Sequence, residues 1–94
     1  MAEVEALKAV FKPLGLKAWF WSNDHEPPHF MVKLGGKWQF KVYFMEDEAN
    51  MLQRDRHCPL TDTLSRKWRR TITQAAAAHR LEILEQWEGM RDDD

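Results

Sequence analysis

The stretch Lys37-Trp38-Gln39-Phe40-Lys41-Val42-Tyr43-Phe44 constrains the fold more than any other part of this chain. Every even position is apolar, and the odd positions are polar or tyrosine, the period-two pattern of a strand with one face in a core. Gly35-Gly36 stands just before it, preceded by the apolar run Phe30-Met31-Val32-Lys33-Leu34. The two runs with their glycines read as a β-hairpin. A two-residue turn would set Phe30, Val32 and Leu34 against the polar side of the following strand. A three-residue loop places them on the face of Trp38, Phe40 and Val42 instead. Because a one-residue slip flips every side chain, burial favours the three-residue loop.

That register sends His29 and Met31 to the opposite face, beside Lys33, Lys41 and Tyr43. An aromatic strand is expected over residues 16–22. If Ala18 and Phe20 join its core face, Trp19 and Trp21 point the other way with His29. This second face is mixed in character, so either the N-terminal segment covers it or it binds something. Residues 2–12 carry Val4, Leu7 and Phe11, continued by Leu14, at helical spacing, and Pro13 and Gly15 end the pattern. A short fourth strand is expected within 50–53.

From Asp62 to Glu88 the spacing predicts one unbroken helix. Thr61, Asp62 and Thr63 are the start candidates, and Gly89 stands where a C-terminal cap belongs. Leu64, Trp68, Ile72, Ala75, Ala76, His79, Ile83 and Trp87 share one side of it. His79 in that stripe reads as a neutral core residue. At about 1.5 Å per residue the helix would span roughly 40 Å, against about 30 Å for a domain of this size, so it overhangs, kinks or meets a partner. Leu81, Leu84 and Ala77 form a second apolar patch, suited to the N-terminal helix or to a homodimer contact. The expected fold class is α+β, a single domain over 1–94. Its elements are an N-terminal helix at 2–12, an antiparallel sheet of three to four strands within 16–53, a long helix at 62–88 and a frayed tail at 90–94.

At 94 residues, with 44% hydrophobic and 12% aromatic composition, the chain suffices for one small globular core. A formal net charge of −1 argues against an overall electrostatic footprint for nucleic acid. Locally the balance differs. Arg54, Arg56, Arg66, Lys67, Arg69 and Arg70 give six positive charges against Asp55 and Asp62, a net of +4 over 54–70. Four of the cations crowd the positive end of the expected helix, while Glu82, Glu85 and Glu88 sit at its negative end. Each such placement costs a few tenths of a kcal/mol, on the order given for helix ends. The cluster is a candidate anion or nucleic-acid site, weighed against a merely solvated charge run. Cys58 alone excludes an internal disulfide, and no signal peptide or membrane span is evident, so a cytoplasmic setting is the default.

Asp24, His25, Glu26 and His29 crowd a turn stiffened by Pro27-Pro28. With His57 and Cys58 added by folding they would offer metal donors, but the spacing matches no zinc pattern and no metal or cofactor is expected. His25 or His29, aided by Asp24 or Glu26, are candidates for general acid–base chemistry, which would also need a cleft. The plain alternative is an ordered turn held by Asn23 and Asp24 side chains.

The run Phe20-Trp21-Ser22-Asn23-Asp24-His25-Glu26-Pro27-Pro28-His29-Phe30-Met31-Val32, the glycine hairpin and the closing helix His79-Arg80-Leu81-Glu82-Ile83-Leu84-Glu85-Gln86-Trp87 resemble the bacterial domain-of-unknown-function 4160 family over about residues 14–88. The family typically reads Pro-Pro-His-x-His-Val at the turn. Met31 replaces the second histidine here, which removes a pair that would have shared a strand face. The resemblance implies a small α+β protein in a context sometimes described as toxin–antitoxin-like. The expected function is a non-enzymatic module that binds a protein partner or itself through Trp19, Trp21, His29, Met31, Tyr43, Leu81 and Leu84. The alternative is a nucleic-acid-binding protein or small ribonuclease-type toxin using the basic cluster with His25 or His29.

Overall fold

A computed structural model describes residues 3–21, 27–55 and 64–91. Its elements are α1 (Glu5–Phe11), β1 (Lys17–Trp19), β2 (Phe30–Leu34), β3 (Trp38–Val42), β4 (Leu52–Arg54), α2 (Arg66–Ala78) and α3 (Arg80–Arg91). The strands form one antiparallel sheet in the order β1-β2-β3-β4. The α+β expectation holds.

The hairpin has the three-residue turn that burial demands. Phe30 faces Val42, Val32 faces Phe40 and Leu34 faces Trp38 across β2 and β3. The Lys37 N–H closes the turn on the Leu34 carbonyl at 2.9 Å, with Gly35 in the left-handed region at φ 47°. At the end of α1 the chain passes through a 3₁₀ turn, Lys12–Leu14, into Gly15 at φ 79°. There Gly15 N–H bonds the Lys12 carbonyl and Leu16 N–H the Phe11 carbonyl, the paired bonds of a Schellman stop.

Phe11, Phe20, Phe30, Val32, Val42, Phe44, Ile72, Ile83 and Trp87 are all essentially inaccessible and belong to one core cluster. All three described helices contribute to it, so α1 lies on the same sheet face as α2 and α3. The Phe11 ring meets Phe30 at 5.2 Å, and α3 supports the start of α1 where Gln86 Oε1 accepts the Ala6 N–H at 2.8 Å. That N–H is one of the donors a helix start leaves unsatisfied. Covering the second sheet face, one of two roles open to the N-terminal helix, is therefore not what it does.

The single long helix expected over 62–88 is corrected to two. His79 adopts φ −115°, ψ 20°, outside helical geometry, and separates α2 from α3. The cause lies across the molecule: Arg80 donates from Nε to the Phe44 carbonyl at 2.6 Å and from Nη2 to the Glu46 carbonyl at 2.9 Å. The bend ties the helix to the exit of β3 and keeps the molecule within 37 × 27 × 24 Å. His79 is consequently no core residue; its side chain is 41% exposed, with Nδ1 3.5 Å from a Glu82 carboxylate oxygen and without hydrogen-bond geometry. The helix start also moves. Ser65 Oγ accepts the Trp68 N–H at 3.1 Å, so α2 begins at Arg66, and Thr61, Asp62 and Thr63 lie outside the described residues. At the other end α3 runs through Gly89 to Arg91 rather than stopping at a glycine cap.

Candidate functional site

The turn that concentrates histidine and carboxylate in the sequence is only partly in view. Asp24, His25 and Glu26 lie outside the described residues, as do Arg56, His57 and Cys58. His29 is buried at 7% exposure and stacks on Tyr43 with ring centroids 4.8 Å apart and planes 29° apart. It also meets Trp87 of the core cluster at 5.9 Å, so, standing before β2, it lies against the helical core and not on the open face that strand parity predicts. Its Nδ1 is 2.9 Å from the Pro27 carbonyl. A carbonyl only accepts, so Nδ1 carries the proton in this bond. Among the described residues, no group of three His, Cys, Asp or Glu side chains is placed to hold a metal ion.

On the sheet face away from the helices, side chains stand in cross-strand rungs. Lys17 and Lys33 precede Gln39, whose amide donates to Asp55 at 2.7 Å; Trp19, Met31, Lys41 and Gln53 form the next rung. No described helix covers this face. Trp19 and Met31 are nonetheless 4% and 1% exposed, and the Trp19 indole Nε1 is buried with no hydrogen-bond partner among the described residues.

Burial divides the residues that the sequence marks as a binding surface. Trp19, His29 and Met31 are buried; Tyr43 and Leu84 are half-buried; Trp21 is 43% and Leu81 76% exposed. Met45, which is 42% exposed, carries no periodic signal in the sequence, because it sits in the turn after β3 that Glu46 N–H closes on the Tyr43 carbonyl. The segments that carry Trp21, Met45 and Leu81 meet at one end of the sheet, opposite the Gly35-Gly36 turn, and the Trp21 ring packs edge-on against Trp19 at 6.1 Å. Trp21 follows Phe20, whose ring meets Phe44 at 6.5 Å, and Arg80 brackets Met45 by bonding the carbonyls on either side of it.

The cations collect at the other end. The start of α2 is fixed there by Trp68, whose ring meets Trp38 at 5.8 Å. Arg54, opposite Phe40, and Arg66, Lys67, Arg69 and Arg70 are exposed, and none has a carboxylate partner among the described residues. His29 faces Tyr43, five residue steps from Trp38, a separation of roughly 16 Å along the strand. The fold thus keeps His29 and the α2 cations apart. A third feature has no local sequence signal: an open groove of about 750 Å³ between α1 and α3, lined by Glu5, Ala9, Glu82, Glu85, Glu88 and Gly89 among others.

The sequence model of DUF4160, a domain of unknown function, matches residues 15–88, which hold the whole sheet, α2 and most of α3. The chain belongs to the DUF4160 family. Helix α1, and with it one wall of the acidic groove, lies outside the matched span of this DUF4160 chain. No curated protein and no solved structure matches it.

Proposed function

We propose that this DUF4160 chain is a non-enzymatic protein-interaction module whose docking face is the apolar end formed by Trp21, Met45 and Leu81. One observation carries the reading: of the four large apolar side chains exposed among the described residues, three stand on segments that meet at that end, and Leu14 lies elsewhere. Scattered single exposures are ordinary on a protein surface, whereas clustered ones mark interfaces. The rigid attachment of Arg80 to the Phe44 and Glu46 carbonyls supports a preformed face, which lowers the ordering cost of binding. The toxin–antitoxin-like setting implied by the family resemblance makes a protein encoded beside this chain the first partner to test.

The nucleic-acid reading draws support from the exposed cations. It is weakened where it needs catalysis, because buried His29 sits roughly 16 Å along the strand from the α2 cluster. A photo-crosslinking amino acid placed at Leu81 or Trp21 in host cells should trap one discrete protein, with no such adduct from the same probe at Lys37 in the hairpin turn. Equal labelling from all three positions, or adducts only to nucleic acid, would sink the proposal.

A further inference from the structure

We infer that the acidic groove between α1 and α3 receives the cationic face of α2 from a second copy of this chain, reciprocally, to form a dimer. The inference concerns residues separate from Trp21, Met45 and Leu81, so it stands or fails independently of the docking face proposed above.

The first ground is charge. Helix α2 contains no acidic residue, and Arg66, Lys67, Arg70 and Gln74 share its exposed side. Glu5, Glu82, Glu85 and Glu88 line the groove. Among the described residues no ion pair joins the two sets, and only Glu82 of the four carboxylates has a close cation candidate, His79. The cations also sit at the positive end of the α2 dipole, where each is unfavourable in isolation. The chain cannot neutralise one surface with the other, because α2 begins beside Leu14, past the C-terminal end of α1, while the groove is built on Glu5, Ala6 and Ala9. A second copy can. Two copies of net charge −1 repel only weakly overall, while these patches attract locally.

Shape is the second ground. The groove side of α3 carries Gly89 in its last turn, and α1 contributes Ala9 to the same groove. A Cβ built at Gly89 would meet nothing within 4 Å, so no contact inside the chain requires glycine there. Small residues on both walls admit a helix at close range. The exposed side of α2 is itself small beyond its basic end, with Ala78 exposed and Ala77 half-buried. A reciprocal exchange of α2 between two copies closes as a two-fold dimer and satisfies both grooves at once.

Analytical ultracentrifugation of the full chain at 0.1 M and 1 M salt tests this directly. A dimer is expected at the lower salt and dissociation at the higher, as the screening length falls from about 10 Å to about 3 Å. R66E/R70E alone and E85K/E88K alone should each weaken dimerisation by about tenfold or more, since like charges then face each other. An equimolar mixture of the two variants should restore the dimer, because each reversed surface meets its complement. A monomer at 0.1 M salt would overturn the inference whatever the variants do. So would a dimer indifferent to salt and to both reversals. Binding of a single-stranded 20-mer by a monomeric wild-type chain, lost in R66E/R70E, would reassign the α2 face to a polyanion.

Discussion

Phe30 and Met31 are consecutive residues of β2, each no more than 1% exposed, yet they are buried in different ways. Phe30 lies beneath three helices and touches the rings of Phe11, Phe20 and Phe44. Met31 lies on the face that no described helix covers, in a rung between Trp19 and Lys41. The helical face is a packed apolar cluster. The other face combines buried aromatic and thioether groups with half-exposed lysines and an indole N–H that has no hydrogen-bond partner among the described residues. Burial alone therefore does not distinguish a core from a surface; the composition of what surrounds a residue does.

The comparison can be broken most sharply by truncating the two residues in turn. Phe30→Ala should cost about 3–5 kcal/mol in chemical denaturation, the range for a large aromatic removed from a closed core. Met31→Ala should cost less, about 2–3 kcal/mol, because the neighbouring lysines can relax into the space. Equal losses would mean the two faces are energetically alike. Arg80→Ala should cost about 1–2 kcal/mol, since both bonds have a charged donor but one is solvent-exposed. It should also raise amide exchange around His79, which links the helical face to the β3 exit. Ser65→Ala should cost about 1 kcal/mol by removing the N-cap of α2. Smallest of all, Gln53→Ala on the open side should stay within about 0.5 kcal/mol. A larger loss there would show that the uncovered face is structurally demanding across its whole width.

Much of this architecture was legible in the chain. Alternation in 37–44 and the glycine pair gave strands, register and core face together, and the helical stripe correctly named Leu64, Ile72, Ala76, Ile83 and Trp87 as buried. The candidate site was less legible. Trp19, Trp21, His29 and Met31 share an outward parity in the sequence, but parity holds only within a strand. His29, which stands before β2, therefore meets the core residue Trp87, and parity says nothing about what covers Trp19 and Met31. Three of these four are buried and one is exposed, and exposed Met45 lies in the turn after β3, where no periodicity marks it.

The sequence by itself determined the alternation of faces, the hairpin loop and the apolar stripe of the C-terminal helices, because each depends on a short periodicity that a slip of one residue would ruin. Only the tertiary structure decided where the helix bends and which face α1 joins. Those choices rest on contacts far apart in the chain: Arg80 with the carbonyls of Phe44 and Glu46, 36 and 34 residues away, and Gln86 with Ala6, 80 residues away. No local pattern encodes such pairs, since their free energy exists only once the sheet has brought the partners together.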